Sequence, residues 1–163
     1  MSLTELILAL LVALPPHTTD RDRGETIEAR TERLAPFASE MVEATRGDRR
    51  MLAALLVLGD EESHWAGYVT DGRCHEGPLG QRCDAGLARG PWQLHAQTCR
   101  RAWQHPAGSK ESLHEEVRCA AALLRYGGRK CRSWSGAFGV YAGVGCGWRG
   151  GPRRARRMGR MGL

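Results

Sequence analysis

The chain is poor in aromatic residues, which make up 6% of its 163 positions, and five of them are tryptophan. It has no CxxC pair and no HExxH spacing, so the commonest tight zinc frameworks and the helix-borne zinc-protease motif are absent. The apolar run at its start is too short to span a bilayer, and no internal repeat marks a solenoid array. An apolar share of 42%, a normal globular value, argues against wholesale disorder. The length supports one domain with a genuine core and is too short for two of ordinary size.

Acidic residues are missing from residues 150–163, which carry Arg153, Arg154, Arg156, Arg157 and Arg160. Much of the net charge of +6 sits there. The sequence pI is about 9.3. A basic surface favours polyanions: nucleic acid, anionic lipid or acidic wall polymers. The segment reads as a solvated, flexible Arg-rich tail.

No cysteine precedes Cys74. The six that follow (Cys74, Cys83, Cys99, Cys119, Cys131 and Cys146) are even in number and well spread, which suggests a disulfide framework and an oxidising destination. Six cysteines allow about 15 full pairings. Cys74 with Cys83 would close a short loop, and Cys119 with Cys131 would bracket the end of a helix. Zinc is the rival reading, but the one tight Cys/His neighbour is Cys74-His75. The N-terminal apolar stretch resembles an export signal at first sight, yet it lacks a basic start and is interrupted by Glu5. An uncleaved helix packed on the domain or on a partner fits equally well. Export with disulfides, or a phage-type setting, is the expected location.

Pro15-Pro16 ends the first helical stretch, so residues 1–23 read as an apolar helix and linker. From Gly24 the pattern is helical, with Leu34, Phe37, Ala38 and Met41 on one stripe. Asp48 caps a helix over residues 49–62, on which Met51, Leu55, Leu58 and Glu62 share a face. Helical spacing thus aims Glu62, rather than Asp60 or Glu61, along the most apolar line. Residues 67–90 are rich in Gly, Asp and Arg and read as loops with short strands or a hairpin. Helical character returns at residues 96–103 and 112–126, where Leu113, Val117, Ala120, Ala121 and Leu124 form a stripe that Gly127-Gly128 stops. Residues 135–141 read as a last short helix. The expected fold class is mainly α with a small β element, over residues 24–149.

A general acid at neutral pH needs a carboxyl whose pKa is raised, which burial and the negative end of a helix macrodipole both favour. Glu62 has both expected features; on periodicity alone it also reads as an ordinary helix-end glutamate. The surrounding residues add to the case. Glu62-Ser63-His64-Trp65 resembles the Glu-Ser-x-aromatic signature of the soluble lytic transglycosylases and goose-type lysozymes. Gly90-Pro91-Trp92-Gln93-Leu94 is similar to their Gly-x-x-Gln-Ile/Leu segment. Ala137-Phe138-Gly139-Val140-Tyr141-Ala142-Gly143 resembles their Ala-x-x-x-Tyr-Asn-x-Gly segment, with Ala142 where that family has Asn. The three occur in the family's order across residues 36–148.

The resemblance implies a lysozyme-like, disulfide-stapled domain that cleaves peptidoglycan glycan strands with Glu62 as acid and then base. It implies no metal and no cofactor, and a 1,6-anhydromuramyl product. Ser63 would support Glu62 or a sugar acetamide, and Gln93 would line the cleft. Trp65, Trp92 and Tyr141 are the aromatics expected at the sugar, with Trp103, Trp134 and Trp148 in the core or against disulfides. A second carboxylate, where the reaction uses one, has candidates in Asp71, Glu76 and Asp84. The Arg tail would hold anionic wall polymers; nucleic acid is not the expected partner. A non-catalytic wall-binding or virion module on the same fold is the competing reading.

Overall fold

The computed structural model describes residues 1–15, 24–73 and 83–163. Among these are seven α-helices and one small antiparallel hairpin: α1 (Leu3–Ala13), α2 (Ile27–Thr45), α3 (Arg49–Ser63), α4 (Gly67–Thr70), β1 (Ala88–Arg89), β2 (Leu94–His95), α5 (Lys110–Cys131), α6 (Trp134–Tyr141) and α7 (Gly151–Gly159). The protein is a mainly helical domain, and no described helix is long and apolar enough to cross a membrane.

The apolar start belongs to this fold. Ser2 and Glu5 form a reciprocal capping box, so the glutamate that interrupts the run is what begins α1. Ile7 and Leu11 are fully buried against α2. Arg30 of α2 donates to the carbonyls of Leu11 (3.4 Å) and Leu14 (3.0 Å), which the end of α1 leaves without helical partners. Residues 1–15 are thus packed on the rest of the domain.

Asp48 caps α3 by accepting from the amides of Arg50 (3.0 Å) and Met51 (3.1 Å). The helix is then buried around its whole circumference, from Met51 through Asp60, by α2, α5 and α7. Each fully buried leucine there contributes roughly 1.5–3 kcal/mol of transfer free energy. A helix apolar on every side has no privileged line. Spacing therefore does not single out Glu62, whose side chain is 25% exposed against 5% for Asp60 and 9% for Glu61.

The α5 stripe of Leu113, Val117, Ala120, Ala121 and Leu124 is buried as expected. The helix does not stop at Gly127-Gly128 but runs to Cys131. Gly127 is there because α6 crosses against it: a Cβ would meet the backbone of Ala137 at 2.9 Å. Residues 96–103 are not a helix; turns lead to a 3-10 turn at Ala102–Gln104. The hairpin lies at the end of the loop-rich stretch, with Ala88 opposite His95 and Arg89 opposite Leu94.

Two disulfides staple this frame: Cys99–Cys119 holds the turns after β2 to α5, and Cys131–Cys146 holds the end of α5 to the segment between α6 and α7. A Cys119–Cys131 bridge is ruled out because both lie on α5, about 18 Å apart at helical rise. Cys83 is also disulfide-bonded. Cys74 and Glu76 lie outside the described residues, as does the expected Cys74–Cys83 pairing. The Arg-rich end is not a flexible tail: it forms α7 and packs on α3.

Gly127 and Gly128 give a test of opposite signs. Gly127→Ala should destabilise by about 1–3 kcal/mol through overpacking against α6. Gly128→Ala, with nothing within 4 Å of the new Cβ, should stabilise by about 0.5–1 kcal/mol through helix propensity. Urea unfolding of the two variants measures both, and equal shifts would contradict the packing assigned to Gly127.

Candidate functional site

The C-terminal end of α3 carries Asp60, Glu61 and Glu62 in succession, where the macrodipole is negative and no base lies in the last turn. α7 supplies the missing charge. Arg154 donates to Glu62 at 2.6 Å, Arg157 donates to Asp60 and, at 3.1 Å, to Glu61, and Arg153 also pairs with Glu61. Burial works against the Arg157 charge, but its hydrogen bond to Asp60 and the two acids outweigh it and hold the guanidinium above its ordinary pKa. Arg154 is 7% exposed and lies over the Trp148 ring, 4.8 Å from the centroid. Glu62 therefore faces an arginine rather than the apolar wall its spacing suggested.

The turn after α3 buries what the sequence placed at the surface. The Ser63 hydroxyl donates to the Gly59 carbonyl (2.9 Å) and accepts from the Trp65 amide (3.2 Å). With His64 and Trp65 both at positive φ, the chain doubles back and sets the Trp65 ring against Gly59. Trp65 and Trp92 are both fully buried, packed edge-to-face at 5.5 Å with Phe37 beside them. They are core residues, with no exposed ring face in this arrangement. Ser63 fastens this turn.

The Gly90–Gln93 turn of the hairpin joins the three segments. Trp92 donates from its indole N–H to the Leu55 carbonyl on α3 at 3.0 Å. Tyr141, at the end of α6, donates its hydroxyl to the Trp92 carbonyl at 2.6 Å. Burial first, then the negative charge of Glu62, holds the Tyr141 phenol well above its ordinary pKa; Arg154 opposes this, and Glu116 adds to it. Tyr141 thus stays protonated and a donor to the Trp92 carbonyl. Gln93 closes its own turn, its side chain donating to the Gly90 carbonyl at 3.0 Å.

Sequence reasoning missed Glu116. It stands on the buried face of α5, three residues after Leu113 and one before Val117, and is 4% exposed. The same stripe held the signal: a carboxylate on an apolar face, with a serine four residues before it. Ser112 donates to it at 2.7 Å, and Arg89 is the nearby cation. Gly90 has φ +66, a conformation that favours glycine, and a Cβ there would lie 2.0 Å from Glu116 Oε2, so a side chain would have to displace that carboxylate. Burial pushes the Glu116 carboxyl up to about 7, against the downward pull of Ser112 and Arg89.

Glu116, Gly90, Arg89, Thr70, Asp71 and Arg33 line part of a cavity of about 810 Å³ between α2, α4 and α5. Glu62 is not among its lining residues. Of the other acids weighed as partners, Asp71 pairs with Arg73 at 2.8 Å and Asp84 lies 3.4 Å from His95 at the surface. Trp103 donates to the Leu94 carbonyl, while Trp134 and Trp148 pack at the core's edge, as expected. No group of three or more metal-ligating side chains occurs among the described residues. In comparisons with known proteins, no family model, no curated protein and no solved structure matches this chain.

The raised Glu116 pKa has a definite sign. The folded state keeps a proton that the unfolded chain releases above its ordinary value of 4.5, so stability falls as pH rises from about 4.5 to about 7 and levels off beyond. The loss is on the order of 3 kcal/mol. Glu116→Gln should flatten that part of the profile. Urea midpoints of parent and variant across pH 4–8 check it, and an unchanged slope would remove Glu116 as its origin.

Proposed function

We propose that this protein cleaves the β-1,4 bond between N-acetylmuramic acid and N-acetylglucosamine in peptidoglycan, with Glu62 as general acid and base. One observation carries the reading. The three segments that resemble soluble lytic transglycosylases and goose-type lysozymes, far apart in sequence, meet in space. Tyr141 bonds to the Trp92 carbonyl, Trp92 bonds to the Glu62 helix, and the Trp65 ring packs edge-to-face on Trp92 at 5.5 Å.

In the proposed reaction Glu62 gives a proton to the departing glycosidic oxygen and then takes one from the 6-hydroxyl of the muramyl residue. That oxygen closes on C1 to form the 1,6-anhydro ring. Tyr141, kept protonated, gives its O–H to the Trp92 carbonyl, so only its oxygen lone pair could face the developing positive charge. In the present arrangement Glu62 is the acceptor of Arg154. Donation by Glu62 therefore requires that Arg154 release it. The route calls for no metal or cofactor. The disulfides favour action in an oxidising compartment, in the envelope, outside the cell or in a phage.

The same Arg154 contact favours a second reading, a non-catalytic peptidoglycan-binding or virion module. An ion-paired Glu62, absent from the lining of the cavity between α2, α4 and α5, is suited to structure rather than to proton transfer.

Digestion of purified peptidoglycan followed by mass analysis separates the two. The parent should release muropeptides with anhydromuramyl ends, and Glu62→Gln should lower the rate by about 10²–10⁴-fold, the usual contribution of a general acid or base. Equal clearing by the variant would end the Glu62 assignment. Binding to the wall without any released product from the parent would support the second reading.

A further inference from the structure

Arg153, Arg154 and Arg157 are paired with α3, while Arg156 and Arg160 stay exposed; a denser group of exposed arginines lies elsewhere. A groove of about 860 Å³ runs between the end of α2, the turns after β2 and one face of α5. Its lining includes Arg46, Arg100, Arg101, Arg118, Arg125 and His114. All five arginines are exposed, and none forms an ion pair with an acid among the described residues. Glu43 and Glu115 are the acids on the wall, so the cations predominate.

The fold builds this groove rather than leaving loose charges at a surface. Arg118 and Arg125 are seven residues apart on α5, which puts them on one face. The Cys99–Cys119 bridge, with Cα atoms 5.8 Å apart, brings the turn bearing Arg100 and Arg101 against that face. His114 contacts Glu40 through Nδ1 at 2.9 Å, and its Nε2 lies 3.3 Å from the Arg118 guanidinium. With Nδ1 donating to Glu40, Nε2 accepts from Arg118 and orients it. Arg46 closes the end of α2 in a left-handed conformation, φ +53.

Between the charged residues the lining is small, with Ala44, Thr98, Ala102 and Ala122 beside the disulfide, and no aromatic ring lines the groove. Arginines match phosphate oxygens with paired N–H donors. Single-stranded nucleic acid is bound with aromatic platforms for its bases, and membrane surfaces with inserted apolar side chains; the groove offers neither.

We propose that this groove binds a phosphodiester polymer without bases, of the poly(glycerol phosphate) type found in bacterial walls. The phosphate chemistry stands on the groove alone, whereas the choice of a wall polymer rests on the function proposed above.

The test uses the full chain with its disulfides intact and purified poly(glycerol phosphate), with duplex DNA and phosphatidylglycerol vesicles as comparators. Binding to the polymer should weaken by roughly 10- to 100-fold between 50 and 200 mM NaCl, as expected when several phosphates are neutralised. The double variant R118Q/R125Q should lose affinity by about 10-fold or more at low salt. R156Q/R160Q, with the same loss of charge on exposed positions outside the groove, should bind as the parent does, and circular dichroism should confirm that both fold. Equal losses in the two variants would mean bulk charge and overturn the site. No polymer binding by the parent at low salt, or tighter binding of DNA or vesicles at equal phosphate, would overturn the ligand class. Because the polymer is assayed by binding alone, a failure of Glu62 to cleave peptidoglycan leaves this result unaffected.

Discussion

The contact on which the arrangement around Glu62 depends is the pairing of three successive acids at the end of α3 with three arginines of α7. Asp60, Glu61 and Glu62 stand at the negative end of a helix whose length is buried, where unpaired carboxylates are costly. Arg153, Arg154 and Arg157 neutralise them, and α7 is thereby held against α3. The same contact covers Glu62 and leaves Trp148 packed beneath Arg154. Removing one partner strands a buried charge, so the cluster orders the C-terminal segment and constrains any chemistry at Glu62 together.

Around this cluster, backbone conformation decides which side chains reach solvent. Positive φ at His64 and Trp65 turns the indole under α3, and the hairpin turn brings Trp92 to meet it. Tyr141 then reaches the Trp92 carbonyl from α6. Two tryptophans suited to stacking on sugars lie in the core, and the tyrosine bonds to the turn that carries one of them. Glu116 lies on the other side of the Gly90–Gln93 turn, facing the cavity between α2, α4 and α5. The two glutamates act on Tyr141 from different elements.

Much of the helical frame was legible from spacing and caps. Asp48 as the start of α3, the α2 and α5 stripes and the short α6 are local features, and the structure holds them close to where the pattern placed them. The errors have physical causes. Gly127 reads as a stop until α6 is known to cross it. Residues 150–163 read as solvated because their partners lie more than 90 residues away. The spacing argument for Glu62 weakened because α3 is apolar on every face. Glu116 was visible as a polar interruption of the α5 stripe, but its importance rests on Arg89 and Gly90 meeting it from the hairpin.

By itself the sequence determined where helices begin and which residues share a face, because capping and periodicity are local and depend only on neighbours within a turn or two. It also placed three family-like segments in order along the chain. Only the tertiary structure decided that Trp65 and Trp92 are core, that Arg154 rather than apolar surface meets Glu62, and that five arginines share one groove. Those outcomes depend on which distant surfaces are pressed together, and burial and charge pairing across such contacts leave no periodic trace in the chain.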